Sequence, residues 1–313
     1  MVAGGLALWA EFGTAPPETV EAAPAVSVQG PSAPLPSQDP PAEARRGPPI
    51  EPERRPGADG APGNEPAPAA QPAWRSFARP FDESDRRPRL AILVVGLGMS
   101  ETATRFAIDQ LPGAISLAFS PYGLNLDTQM AAARAAGHEV LLGIPMEPAN
   151  FPLNDPGPRA LMTGNPPPEN LARLQWVLGR GTGYVGVTNA ASAVLRGERF
   201  MTATEAMRPV YEVLQQRGLL FIEARPGERA PTAVPSRTAD LVVDERMSRP
   251  EIEARLADLE RLARERGVAL GIAGPSQLTL ERLAAWSQGV EFRGVLLAPV
   301  SAVVTRPTAQ ARP

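Results

Sequence analysis

The sequence predicts an α/β fold: a closed or nearly closed (β/α) barrel over residues 89–305, preceded by a long Pro-rich tether. Three observations carry that reading. From Leu90 onward, short apolar runs of the kind buried on both faces of a parallel sheet alternate with segments of helical period. Several of the helical segments stop at a glycine just before the next apolar run. Seven or eight strands in roughly 215 residues suit a barrel better than an open sheet.

The elements follow in order. Leu90-Ala91-Ile92-Leu93-Val94-Val95 is a continuous apolar strand that ends at Gly96-Leu97-Gly98. Ser100 is the N-cap candidate of a helix running to about Gln110. A strand at 114–119 precedes a helix at 126–136, stopped by Gly137. A strand at 139–144 leads into a loop rich in Pro, Asn and Gly that lasts to about Pro168. Then come a helix at 169–178, a strand at 184–187 and a helix at 202–217, stopped by Gly218. Strands are expected at 219–222 and 240–243. The helix at 250–266 puts Ile252, Leu256, Leu259, Leu262 and Ala263 on one face and stops at Gly267. A strand at 268–272, a helix at 278–286 and a strand at 294–298 complete the pattern. In such folds the functional groups sit at the C-terminal ends of the strands.

Ahead of the barrel the composition changes. Residues 11–90 hold 18 of the 37 prolines, and stretches such as Pro31-Ser32-Ala33-Pro34-Leu35-Pro36 can form neither helix nor ladder hydrogen bonds. Residues 12–88 therefore read as a disordered, partly polyproline-II linker, a spacer with a Pro-rich partner-binding segment as the alternative. Residues 1–11 form a short apolar segment, and 306–313 a disordered tail. The start, Met1 to Ala10, is too short to cross a bilayer, which needs about 20 apolar residues. Trp9 followed by Glu11 resembles the exit end of a membrane anchor that begins upstream. A frayed apolar terminus is the other reading.

Composition removes whole classes of chemistry. With no Cys there are no disulfides, thiol nucleophiles or Cys-ligated metals. Every basic residue is Arg, so a Schiff base and a P-loop lysine are both excluded. One His, His138, forbids any site built from two imidazoles of this chain, and 31 basic against 34 acidic residues leave no nucleic-acid footprint. Gly96-Leu97-Gly98 after a strand suggests a dinucleotide turn, but the third glycine falls at Glu101 and Phe119-Ser120-Pro121 brings no acidic ribose ligand.

Several turns resemble those of the divergent polysaccharide deacetylases, a branch of the NodB-like carbohydrate deacetylases. The first strand with Leu97-Gly98, and Leu117-Ala118-Phe119-Ser120-Pro121-Tyr122, match its first two strand–turn units. The most specific block is Gly137-His138-Glu139-Val140-Leu141-Leu142 running on to Pro145-Met146-Glu147-Pro148. Pro156-Gly157-Pro158, Leu161-Met162-Thr163-Gly164, Val185-Gly186-Val187, Arg217-Gly218-Leu219-Leu220-Phe221 and Leu297-Ala298-Pro299-Val300-Ser301 follow in the same order. The resemblance implies a NodB-like deformed (β/α) barrel, an extracytoplasmic setting, carbohydrate metabolism and a divalent metal such as zinc.

Carried over one by one, the catalytic positions that the resemblance implies are vacant of donors. The two aspartates after the first strand correspond to Val95 and Gly96. The His after the Val-Gly-Val strand corresponds to Ala190, within Thr188-Asn189-Ala190-Ala191-Ser192-Ala193. A further His corresponds to Gly274, and the His of the Leu-Leu-His-Leu-Pro-Met-Glu pattern to Gly143. Only Glu223-Ala224-Arg225 keeps a carboxylate and the arginine. A hydrolytic metal needs about three protein ligands and lowers the pKa of its water from about 15.7 towards 7, which these residues cannot arrange. His138, after a helix-stopping glycine and before a strand, reads as a packing residue at the N-terminal end.

The expected catalytic set is therefore unknown and the expected metal set empty. The candidate ligand-binding residues are Glu147, Asn189, Glu223 and Arg225, all placed after strands. The functional expectation is a catalytically degenerate glycan-binding or scaffolding module of the cell envelope or periplasm. Its expected partners are a cell-wall glycan or another envelope protein, with no nucleic acid and with a membrane tether through the N-terminal segment. The alternatives are an active carbohydrate hydrolase using a rearranged site at Glu147 or Glu223, and a purely structural tethered domain.

Overall fold

The structure, a computed structural model, describes residues 72–305. The expected apolar start, the tether up to residue 71 and the tail at 306–313 lie outside the described residues.

After a short helix α1 (Ala73–Phe77), the chain alternates strand and helix. The first half comprises β1 (Arg89–Leu97), α2 (Glu101–Gln110), β2 (Ser116–Phe119), α3 (Leu126–Ala135), β3 (Val140–Gly143), α4 (Pro167–Leu178) and β4 (Gly186–Thr188). The second comprises α5 (Glu198–Thr202), α6 (Thr204–Gln216), β5 (Leu220–Glu223), β6 (Ser236–Thr238), β7 (Leu241–Val242), α7 (Arg249–Arg266), β8 (Val268–Ala273), α8 (Gln277–Val290) and β9 (Leu296–Leu297). The strands form one parallel sheet in the order β6-β5-β4-β3-β2-β1-β8-β7, with β9 on β1.

The sheet curls into a half-barrel because its two ends are consecutive in the chain. Only Ala239 and Asp240 separate β6 from β7. The Ala239 N–H donates to the Glu223 carbonyl of β5 (2.8 Å), and the Asp240 N–H to the Leu270 carbonyl of β8 (2.8 Å). One dipeptide thus ties opposite edges of the path.

Alternation along the strands builds two cores. Leu90, Ile92 and Val94 of β1 pack outward under the helices, whereas Ala91, Leu93 and Val95 point into the curl with Leu141, Ile222 and Ile272. The N-terminal end of the curl is floored by Trp74, Val300 and Val303. There Glu139, 1% exposed, accepts from the Arg79 N–H (3.0 Å), the Ser301 N–H (3.0 Å) and the Ser301 hydroxyl. Burial pushes its pKa up, against the pull of those donors.

Four details differ from the sequence reading. The expected linker at 12–88 gives way by residue 72: Trp74 is buried in the interior core and its N–H donates to the Gly218 carbonyl (3.0 Å). Proline content hid a single large anchor. β6 was not expected, because Ser-Arg-Thr is polar and becomes a strand only through its pairing with β5. The helix expected at 202–217 begins after Gly197, in the left-handed region, and breaks at Ala203 (ψ 81°) into α5 and α6. The last strand shrinks to Leu296–Leu297. Ser100 caps α2 as expected, its Oγ accepting from the Ala103 N–H (3.3 Å).

Candidate functional site

Adjacent parallel strands bring three of the four expected residues together. β4 and β5 pair Thr188 with Ile222, so the next residues, Asn189 and Glu223, emerge side by side at the strand C-terminal ends. The Asn189 amide donates to Glu223 Oε1 (2.8 Å) and to the Arg196 carbonyl (2.8 Å), while its Oδ1 accepts from the Ala224 N–H (2.8 Å). Arg225 closes a fork on the same carboxylate, Nε to Oε1 at 2.9 Å and Nη2 to Oε2 at 3.0 Å, and its N–H also donates to Oε1 (3.0 Å). Burial works against the Arg225 charge, but the bonds to Glu223 outweigh it and raise its pKa. Burial, helped by the Glu223 charge, pushes the nearby Tyr211 phenol up to about 12.

Glu147 belongs to a different network. Its Oε2 accepts from the Thr163 N–H and hydroxyl (both 2.6 Å), and Arg199 lies 3.3 Å from Oε1. Burial opposes its ionisation, yet the Thr163 donors and Arg199 prevail and lower its pKa. Its carbonyl also accepts from the Arg199 and Phe200 N–H groups (both 3.1 Å), docking α5. Glu147 therefore fastens two loops after β3 and β4 rather than joining the Asn189–Glu223–Arg225 cluster. His138 sits at the other end of the sheet, its ring nitrogens 2.7 Å from the Ile115 carbonyl and 3.2 Å from the Ile108 carbonyl.

The mouth itself is filled by the chain. Beyond Asn189, the segment Ala190–Leu195 folds inward as a tight loop, with the Ala191 N–H donating to the Leu195 carbonyl (3.0 Å) and the Leu195 N–H to Ser192 Oγ (3.2 Å). Ala190 is fully buried in the interior core and Ala193 packs against it. Three of the positions at which the family resemblance implies functional side chains are glycines that face this loop. A Cβ at Gly143 would lie 2.6 Å from the Ala190 carbonyl oxygen; at Gly96, 3.4 Å from Ser192 Cα; at Gly274, 3.0 Å from Ala193 Cβ. Gly96 also has φ +81°, a conformation that aspartate adopts only with strain.

A divalent metal does not fit these residues. Val95, Gly96, Gly143, Ala190 and Gly274 supply no donor atom, and at Gly143 and Gly274 even a Cβ would meet the loop at 2.6 and 3.0 Å. Among the described residues no group of three His, Cys, Asp or Glu side chains could hold a metal. One carboxylate beside the mouth was missed by the sequence reading. Asp244 Oδ2 accepts from the Gly274 N–H and the Thr279 hydroxyl (both 2.9 Å), but its buried Oδ1 has no hydrogen-bond partner among the described residues. An Asp two residues beyond the short strand β7 carries no sequence signal that would single it out.

The comparisons agree with this architecture. The model of the family described as divergent polysaccharide deacetylase matches residues 92–304. The solved structure of an uncharacterized protein, ATU2773 from Agrobacterium tumefaciens C58, is similar at 35% identity and a TM-score of 0.69, over 74% of this chain and 95% of that one. A candidate cellobiose-phosphate cleavage protein from Enterococcus faecalis V583 aligns over 70% of this chain and 100% of its own at 14% identity, with a TM-score of 0.47 that carries no argument. No curated protein matches. By the extent of the family match, and by a 35% identical neighbour covered almost end to end, the chain belongs to the divergent polysaccharide deacetylase family.

Proposed function

We propose that this chain is a catalytically silent deacetylase-family barrel that serves as a glycan-binding module in the cell envelope. The observation that supports silence is the filled mouth: backbone and methyl groups of Ala190–Ala193 stand where a hydrolytic metal, its water and a substrate acetyl group would have to meet. The alternative of a rearranged site at Glu223 or Glu147 asks a carboxylate to exchange protons with a substrate. Both oxygens of Glu223 are committed to Asn189 and Arg225, and Glu147 is held by Thr163 and Arg199. Membership of a polysaccharide deacetylase family is what supports reading the partner as a glycan and the setting as the envelope. Among the described residues no helix is long and apolar enough to cross a membrane.

The test uses the full chain. After incubation with zinc and dialysis, metal content is measured, acetate release is followed on oligomers of N-acetylglucosamine, and cosedimentation is followed with purified peptidoglycan sacculi. The reading expects no retained equivalent of metal, no acetate above the buffer rate, and cosedimentation with the glycan. Acetate release abolished by a chelator would overturn silence, and absence of cosedimentation would overturn the binding role.

A further inference from the structure

We propose that the cleft between α2 and α3 binds a neutral saccharide of one or two rings. This rests on the glycan-binding reading and gives it a place outside the filled mouth. The cleft measures about 730 Å³, within the size range of small-ligand pockets. Helical spacing sets its two walls: Glu101, Arg105 and Ile108 lie one turn apart along α2, and Asn125 and Gln129 along the start of α3. Tyr122 supplies an aromatic surface between them.

The chemistry of the lining selects the ligand. A sugar ring has an apolar C–H face and a rim of hydroxyls, each both donor and acceptor. Tyr122 and Ile108 meet the first need, and the Asn125 and Gln129 carboxamides, each able to donate and accept, meet the second. Neither carboxamide is engaged by another described residue: Asn125 stands at the N-cap of α3 but its side chain makes no cap hydrogen bond, and Gln129 Oε1 is buried without a partner. Glu101 and Asp109 outnumber Arg105 on the lining, and Arg105 is already 2.9 Å from Glu101, so the cleft offers no positive field for a phosphate or a nucleotide.

The cleft is also held in shape before any ligand arrives. The Gly98 N–H donates to Thr104 Oγ1 (2.9 Å), Arg180 clasps the Pro121 and Gly123 carbonyls (2.8 and 3.1 Å), and Tyr122 Oη accepts from the Arg159 N–H (3.0 Å). Little ordering is then left for binding to impose.

The experiment titrates the full chain with chitobiose and with cellobiose by calorimetry and ligand-observed NMR, expecting a Kd of about 1 mM, the weak end of specific binding. Ala132→Trp, which fills the cleft from an exposed position of α3, and Gln129→Leu should each weaken binding at least about tenfold while the thermal midpoint does not fall. Cosedimentation with sacculi retained in full by Ala132→Trp would overturn the cleft assignment and leave the glycan reading standing. No disaccharide binding and no cosedimentation by the unmodified chain would sink both.

Discussion

The floor and the mouth of the curled sheet are both sealed, by opposite means. At the strand N-termini a large side chain, Trp74, and a buried carboxylate, Glu139, draw in segments from the two ends of the fold through Arg79 and Ser301. At the C-termini the seal is made of alanines seated against glycines, with the Asn189–Glu223–Arg225 cluster beside it. The floor resembles the interior of any barrel. At the mouth, backbone and methyl groups of the Ala190–Leu195 loop pack where larger side chains at Gly143 and Gly274 would otherwise stand. Interiors are close-packed, so such packing is hard to reverse one residue at a time.

Removing the floor's anchor is the largest perturbation available. Trp74→Ala should cost about 3–5 kcal/mol in urea unfolding, the range for deleting a buried aromatic. A cost below 1 kcal/mol, on the order of a surface change, would show that residues 72–88 are a linker after all. At the mouth, Gly143→His should cost about 3 kcal/mol, because its Cβ alone would meet the Ala190 carbonyl at 2.6 Å. Stable folding with tight zinc binding would mean that the loop yields to ligands. Asn189→Ala should cost about 2 kcal/mol, since the Ala224 N–H, the Arg196 carbonyl and Glu223 each lose a buried partner.

The two ends should also titrate in opposite senses. Burial raises the Glu139 pKa, so the folded state holds that proton more tightly than the unfolded chain. Its contribution is full below the ordinary carboxylate value of about 4.3 and is lost as pH rises through the native pKa. Glu147 is lowered, so its contribution is present above about 4.3 and is lost as pH falls through its native pKa. Glu139→Gln should flatten the stability profile on the alkaline side of that point, and Glu147→Gln on the acid side. Urea midpoints collected across both limbs check this, and identical profiles for the two variants would contradict it.

Much of this was legible in the sequence. The apolar run of β1, the capping Ser100 and the long α7 announce themselves by local pattern, and Glu147, Asn189, Glu223 and Arg225 are legible as residues that follow strands; that β4 and β5 pair, which brings three of them together, is not. What escaped depends on distant partners. Glu147 also follows a strand, but its carboxylate turns to Thr163 across the loop after β3. β6 exists only by pairing, and the Trp74 anchor is one residue in a Pro-rich stretch. The filled mouth was the least readable feature. In sequence Gly96, Gly143 and Gly274 are only missing ligands, whereas in space they are the sockets of a loop.

That loop can be probed directly, because the chain has no cysteine and a single one introduced at Ala190 is a unique reporter. With Ala190 fully buried, the account predicts that Ala190→Cys reacts with a thiol reagent in native buffer only as fast as the protein opens, and at once in urea. Immediate labelling of the native protein, with its unfolding midpoint unchanged, would contradict the filled mouth.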